Sequence, residues 1–177
     1  DFPVSIRISG EECIKNGYTI SDMETILPDL VNAGADIINV SFGTHGSPAV
    51  NIDTPNPSAP VEYPPGFKSH LARRVKEAAG VPVISVGRYT DPYFMDEVIA
   101  RGDADMIAVA RQHLADPDFL KNALAGHPED TLECLACNQG CIERLWLEAL
   151  PIRCAINPQT GQGLMYPAGP ATVPRRV

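Results

Sequence analysis

A fourfold alternation of short apolar runs and amphipathic segments constrains the fold of this chain more than any other feature. The apolar runs span residues 4–9, 35–41, 81–87 and 104–110. Short apolar runs bounded by turn residues predict buried strands. Each amphipathic segment ends at a glycine, the residue that most often follows a helix, and these glycines are Gly34, Gly80, Gly102 and Gly126. The resulting order β-α-β-α-β-α-β-α requires a parallel sheet with right-handed crossovers.

Capping residues predict where three of the four helices begin. Ser21 and Glu24 have the spacing of a capping box, in which two side chains satisfy the first free N–H groups of a helix. Asp91 and Asp116 each stand before a proline, which suits the first helical turn. We therefore expect helices to start near these residues, the last one running from Asp116 to about Gly126.

Two architectures contain such a sheet: a doubly wound fold and half of a (β/α)8 barrel. No G-x-G-x-x-G motif follows any predicted strand, which argues against a dinucleotide-binding sheet. Four β/α units followed by a cysteine-rich segment favour the C-terminal half of a TIM barrel, strands five to eight. A half barrel leaves sheet edges open. We therefore expect the remaining half barrel upstream of Asp1 in the native chain.

The composition argues against several classes of partner. The chain has 177 residues and a formal net charge of -8 at pH 7. An acidic chain without a basic run is a poor candidate for binding nucleic acid or anionic membranes. No apolar run approaches the ~20 residues that span a bilayer, and no signal peptide opens the sequence. We expect no nucleic-acid and no membrane partner.

Four of the five cysteines have the spacing C-x2-C-x3-C-x12-C, and they are Cys134, Cys137, Cys141 and Cys154. Four thiolates can hold a zinc ion or an iron–sulfur cluster. Structural zinc usually takes two CxxC-type pairs, and only one is present, so the spacing favours a [4Fe-4S] cluster over zinc. Disulfides are a weaker explanation, because Cys13 would be left over and nothing looks secreted. Cysteines kept for a metal centre predict a reducing, cytoplasmic location.

Two predicted strands end in a small residue followed by arginine. Gly87 and Arg88 end the third strand, and Ala110 and Arg111 end the fourth. Barrels often bind phosphate with the loops after strands seven and eight. A glycine lets backbone N–H groups approach a phosphate, and arginine adds a fork of donors. These four residues are therefore candidates for a phosphate site, against the alternative of two exposed loop charges.

Two further residues could carry chemistry at the same edge of the sheet. Arg7 is a charge inside a strand, which is costly to bury without an acceptor. It can contact an electron-rich cofactor edge or form an internal salt bridge, and the sequence leaves both open. His45 lies in a long loop after the second strand, where it can donate a proton or bind a substrate as well as serve a structural role.

Several segments together resemble one enzyme family. They are residues 4–9, 38–41, 86–88, 108–117 and 134–141. Their combination is similar to the iron–sulfur branch of the old yellow enzyme family, which includes 2,4-dienoyl-CoA reductase and trimethylamine dehydrogenase. The resemblance covers nearly the whole chain, from barrel strand five to just past the cysteines.

The resemblance implies a cofactor arrangement. FMN would lie over the barrel mouth with its pyrimidine side facing Arg7, and His45 would stand where a related branch has a histidine that assists protonation. The residues implied to hold the FMN phosphate are Gly87, Arg88, Ala110 and Arg111. The ligands implied for a [4Fe-4S] cluster close to the flavin are Cys134, Cys137, Cys141 and Cys154.

The resemblance also implies a reaction. Electrons would pass from NAD(P)H to FAD in a downstream domain, then through the cluster to FMN, which would reduce an activated C=C of enoate or dienoyl-CoA type. An amine dehydrogenase or demethylase of the same family is the alternative enzyme. A non-catalytic zinc-bearing α/β binding module is the alternative of another class. The family's tyrosine proton donor belongs to the first half barrel, so we expect this segment alone to be inactive.

The expected organisation has three parts. Residues 1–130 form the FMN-binding half barrel, residues 131–163 carry the cluster, and residues 164–177 form a proline-rich linker to the FAD and NAD(P)H domain. The expected partners are a small-molecule substrate, the remaining half barrel and that downstream domain. The sequence leaves open whether the protein forms a homo-oligomer.

Overall fold

The computed structural model describes residues 2–44, 58–165 and 169. Within these ranges four parallel strands pair in the order β1-β2-β3-β4, namely β1 (Ser5–Ser9), β2 (Ile37–Ser41), β3 (Val83–Val86) and β4 (Met106–Ala108). The helices are α1 (Ile20–Asn32), α2 (Ser69–Ala79), α3 (Pro92–Ala100), α4 (Arg111–Ala115), α5 (Phe119–Leu124) and α6 (Arg144–Trp146). Most of the predicted linker lies outside the described residues. The predicted α/β class and parallel sheet are confirmed.

The helices cover one face of this sheet. Helices α1 and α2 pack against Ile38 and Val83, and α3 packs against Ile107. The strand register places these three side chains on the same face. Arg7 and Asn39 are register partners on the opposite face, which the described helices leave uncovered. A doubly wound fold has helices on both faces and reverses its strand order, so sequential order with one covered face confirms the half barrel.

Burial of apolar side chains holds the helices to the sheet. Leu27 of α1 and Val75 of α2 have no solvent-accessible surface, and they meet above β2 and β3. Val98 of α3 and Phe119 of α5 are the centre of a second apolar cluster beside β4. Full burial of side chains of this size contributes roughly 1.5–3 kcal/mol each. These clusters fix the carboxyl ends of all four strands at one edge.

The first helix begins two residues earlier than the capping box predicted. Thr19 is the cap: its N–H donates to Asp22 Oδ2 (2.8 Å), and its Oγ1 accepts from the Asp22 N–H. Ser21 and Glu24 were therefore the wrong pair. Both instead bind Arg74 of α2, with Arg74 Nη2 lying 2.6 Å from Glu24 Oε2. The two candidate boxes overlap in sequence, and the helix–helix ion pair decides between them.

The fourth predicted helix corresponds to α5, and a short helix that was not predicted, α4, precedes it. Helix α4 follows Ala110 directly, whereas the sequence predicted a helix only from Asp116 onwards. Asp116 is extended (φ -147°, ψ 107°) because the ring of Pro117 disfavours helical geometry in the preceding residue. Its carboxylate accepts the Asp118 N–H, and α5 begins at Phe119. The short helix α4 is thereby placed at the strand end.

Candidate functional site

Gly87 and Arg88 lie at the carboxyl end of β3, as the sequence predicted. Gly87 is buried and has a φ of 152°, in the region that favours glycine. A Cβ built on Gly87 would meet no atom within 4 Å. The backbone at the strand end therefore borders open space inside an otherwise buried loop. This geometry suits close approach of a ligand group to the main chain.

Arg88 has an unsatisfied polar atom beside this space. Its Nη1 donates to the Tyr63 carbonyl oxygen, but its buried Nε has no hydrogen-bond partner among the described residues. An unmade bond at a buried polar group costs about 1–3 kcal/mol, and more when the group is charged. An anion bound here would accept this bond. Arg88 and Gly87 therefore have the features of an anion-binding site, a buried N–H donor beside open backbone.

The side chain of Arg111 is directed towards the cysteine segment. Its Nη1 donates to Asn138 Oδ1 at 2.6 Å, and its side chain borders the same pocket as the cysteines. Asn138 is 4% exposed and donates in turn to the Ser58 carbonyl (2.7 Å). Ala110, immediately before α4, keeps its backbone at the strand end. The structure therefore does not bring the guanidinium groups of Arg88 and Arg111 to a shared partner.

Arg7 faces the uncovered side of the sheet. Its Nη1 donates to Asn39 Oδ1 (2.9 Å) and its Nη2 donates to Ser41 Oγ (3.1 Å). Both acceptors are neutral, and no carboxylate pairs with Arg7 in the part of the chain that the structure describes. Among the described residues the Arg7 charge is therefore exposed on this face and is held by neutral side chains. His45, the predicted proton donor, lies outside the described residues.

The four predicted metal ligands line one pocket. Cys134, Cys137, Cys141 and Cys154 are free thiols that together line this pocket. Gly140 brings the segments of Cys141 and Cys154 together, since the Arg153 N–H donates to the Gly140 carbonyl at 2.6 Å. A Cβ on Gly140 would stand 2.8 Å from the Arg153 oxygen, so this approach requires glycine. Residues distant in sequence thus place their thiols around a common space.

A zinc ion and an iron–sulfur cluster require different arrangements of four thiols. Among the described residues no three His, Cys, Asp or Glu side chains are close enough together to hold one metal ion. A zinc site needs four donors at about 2.0–2.3 Å from a single centre. In a [4Fe-4S] cubane each iron takes its own thiolate, so the sulfurs are spread around a larger body.

Local electrostatics also affect these thiols. Burial raises the pKa of the Cys141 thiol, while the Ile142 backbone N–H and the Arg111 charge lower it. The net effect raises the pKa of Cys141, so the thiol form is favoured, and the Arg111 charge acts in the opposite direction, towards the thiolate that binds metals.

Helix α4 anchors the cysteine segment through contacts that the sequence did not predict. Gln112 binds Leu132 and Cys134, and the Asp116 carboxylate accepts the Leu132 N–H (3.0 Å). Further along, Asn157 Nδ2 and Thr160 Oγ1 both donate to the Leu114 carbonyl. The only signal in sequence was a glutamine within the mostly apolar stretch 108–115. Its burial could not be anticipated, because α4 was not predicted.

Cys13 sits apart from the pocket, in the loop after β1. Its Sγ lies 3.2 Å from Glu11 Oε1, which also pairs with Lys68 at 2.7 Å. Burial and the Glu11 hydrogen bond raise the pKa of Cys13 from an ordinary 9.0 to about 11. This thiol therefore stays protonated at neutral pH, as an ordinary structural cysteine does.

We expect Cys13 to resist alkylation. A pKa of about 11 instead of 9.0 leaves about 100-fold less thiolate at pH 8. Glu11→Gln should speed labelling severalfold, because it removes the anion that stabilises the thiol form. Peptide mapping after iodoacetamide treatment at several pH values measures this, with Glu12→Gln as the neighbouring control. Rapid labelling of the unmodified protein at pH 8 would contradict the raised pKa.

The sheet and its single helical layer define a half (β/α)8 barrel, and the candidate site lies at the carboxyl edge of the sheet. The family model described as NADH:flavin oxidoreductase / NADH oxidase matches residues 1–130. The chain belongs to this family of flavin-dependent oxidoreductases. The resemblance to the old yellow enzyme family is thereby confirmed.

Individual relatives extend the similarity past residue 130. A NADH oxidase of Thermoanaerobacter brockii is 34% identical over 166 residues, which are 94% of this chain and 25% of that protein. A 2-naphthoyl-CoA reductase bound to 2-naphthoyl-CoA has a TM-score of 0.78 at 29% identity, over 91% of this chain and 24% of its own. Histamine dehydrogenase from Rhizobium sp. 4-9 has a TM-score of 0.77 at 28% identity, over 91% of this chain and 22% of its own. The chain spans about a quarter of the length of these proteins.

Proposed function

We propose that this chain belongs to an FMN- and [4Fe-4S]-dependent oxidoreductase that reduces an activated C=C with electrons from NAD(P)H. The observation that carries the proposal is the pocket that all four spaced thiols line together with Arg111, the residue that opens α4 after β4. Helix α4 connects the strand end with the cysteine segment, because it follows β4 and anchors the cysteines. A flavin and a cluster bound there would be neighbours.

The chain's own residues would bind and orient the flavin. The Arg88 Nε–H and the Gly87 backbone would hold the phosphate, with Ala110 and Arg111 at the adjacent strand end. Arg7, without a carboxylate partner, would place a positive charge at the ring system. When bound, FMN supplies the hydride chemistry that amino-acid side chains lack. His45 is proposed as a proton donor or substrate ligand.

The cysteine segment would serve as an electron relay. Thiolates of Cys134, Cys137, Cys141 and Cys154 would each bind one iron, and the pocket's dry lining and nearby Arg111 charge would set the cluster's potential. FAD and NAD(P)H would act through a further domain, since relatives are about four times as long. Residues 131–163 would thus be the relay segment, and residues 164–177 a linker.

An amine dehydrogenase is the second candidate function. The similarity to histamine dehydrogenase, with a TM-score of 0.77, is nearly equal to that of the naphthoyl-CoA reductase, 0.78. The two reactions run the flavin in opposite directions. The substrate contacts that separate them are not among the residues described above.

An anaerobic titration of the natural protein separates these candidates. We expect NAD(P)H to bleach the flavin and an enoyl thioester to restore its colour, and a methylated amine to leave the oxidised flavin unchanged. Bleaching by the amine would support the dehydrogenase instead. A colourless protein with one zinc and no flavin would overturn both and favour a zinc-bearing binding module.

A cytoplasmic location is part of the proposal. All five cysteines are free thiols, as expected in a reducing compartment. Within the described ranges no helix combines the length and apolarity needed to cross a bilayer.

A further inference from the structure

Gln112 is a fully buried polar residue whose amide is engaged at both ends. It is the second residue of α4 and is 1% exposed. Its Nε2 donates to the Leu132 carbonyl at 2.9 Å, and its Oε1 accepts from the Cys134 N–H at 2.8 Å. One side chain thus binds two alternate residues of an extended segment, as the edge of a neighbouring strand would.

The segment that Gln112 holds leads directly to the first cysteine of the pocket. Leu132 is held from a second side, because its N–H donates to Asp116 Oδ2 (3.0 Å). The Ala136 N–H points at Cys134 Sγ, 3.4 Å away. The main chain on both sides of Cys134 is therefore fixed by hydrogen bonds. Position and N–H···S contacts at ligand sulfurs are among the factors that set the potential of an iron–sulfur cluster.

We propose that Gln112 is a positioning residue for Cys134 as a cluster ligand. This inference rests on the proposed function, in which the four thiolates hold a [4Fe-4S] cluster. Gln112 touches no thiol; it acts by fixing the Cys134 backbone, and so the place of its sulfur at the pocket. Because α4 directly follows β4, this helix connects the strand end at the proposed flavin site with the backbone that carries Cys134.

Two substitutions at Gln112 separate its donor from its acceptor. Gln112→Met removes both hydrogen bonds at similar volume. Gln112→Glu keeps an acceptor for the Cys134 N–H but turns an oxygen towards the Leu132 carbonyl. Thr160→Val is the matched control, since Thr160 also binds α4, at Leu114, but six residues from the nearest cysteine. A general loosening of the segment would affect all three variants, whereas a positioning role would spare the control.

The experiment uses the natural protein purified anaerobically. We expect Gln112→Met to release iron to a chelator about 10-fold faster than wild type, the size typical of losing a contact that orients a metal ligand. Gln112→Glu should lower the cluster's midpoint potential and shift the reduced cluster's EPR spectrum at alkaline pH, where the buried carboxyl ionises, and should resemble wild type at lower pH, where the neutral acid keeps both hydrogen bonds. Thr160→Val should match wild type in all three measurements. If Gln112→Met does not accumulate, Gln112→Glu decides the question.

The outcomes distinguish this inference from the proposed function. A wild-type protein without iron and sulfide would overturn both. Wild-type protein with a cluster, and Gln112 variants with unchanged iron release, spectrum and potential, would overturn only the role of Gln112. Equal changes in the Gln112 variants and in Thr160→Val would also overturn it, because they would indicate general loosening of the segment.

Discussion

Cys141→Ser should abolish NAD(P)H-driven reduction of the substrate and remove most of the bound iron. Cys141 lines the pocket with the other three spaced thiols, and no other cysteine among the described residues can replace it there. Serine is a far poorer iron ligand than thiolate. Iron and sulfide analysis, with the absorbance near 400 nm, measures the cluster, and anaerobic stopped-flow measures flavin reduction.

Cys13→Ser is the matched control for this result. Cys13 lies against Glu11 and Lys68, away from the pocket, so its loss should leave the iron content unchanged. Artificial one-electron reductants that bypass the cluster should still reduce the flavin in Cys141→Ser. Full iron content and normal NAD(P)H-driven turnover in Cys141→Ser would contradict the relay.

Arg88→Met should weaken FMN binding by roughly 10- to 100-fold. A hydrogen bond to a charged group is worth about 1.5–3 kcal/mol, and each 1.4 kcal/mol is a factor of ten in affinity. This expectation rests on the buried Arg88 Nε, which has no hydrogen-bond partner among the described residues. A phosphate oxygen would accept its hydrogen bond. Quenching of FMN fluorescence on titrating the apoprotein of the natural protein measures the affinity.

Riboflavin is the control ligand for this prediction, since it has the same ring system and no phosphate. Its affinity should be nearly equal in wild type and Arg88→Met. Arg73→Met, which removes an exposed charge of α2, should change neither affinity. Equal weakening of FMN and riboflavin would show that Arg88 supports the loop instead of the phosphate.

The fold was predictable because its signals are local. Each buried strand is a short apolar run, and each of the glycines at 34, 80, 102 and 126 has the positive φ that follows a helix. The choice of a half barrel over a doubly wound sheet was less direct. It depends on all helices packing on one face, a long-range property that periodicity does not report.

The errors in the prediction came from competition between local signals. The capping box at Ser21 and Glu24 is as good in sequence as the one at Thr19 and Asp22. Arg74 binds Ser21 and Glu24, which favours the capping box at Thr19 and Asp22. This contact joins residues that are 50 or more positions apart in sequence. Helix α4 was missed because its five residues are too few to show a helical period.

The candidate site, like the fold, was predictable from the sequence only in part. The cysteine spacing, and the small residue and arginine at two strand ends, could be read directly because chemistry requires those residue types. The direction of the Arg111 side chain could not be read. It depends on Asn138, which lies 27 residues later and between two cysteines.

The sequence alone determined the α/β class, the alternation of strands and helices along the chain and the identity of the thiols, because these follow from residue type and short-range spacing. Tertiary structure decided which groups meet: the open space at Gly87, the partnerless Nε of Arg88 and the anchoring of Cys134 by Gln112. These depend on backbone positions brought together by packing over 20 or more residues. A buried hydrogen bond forms only where packing aligns both partners, so no single stretch of sequence encodes it.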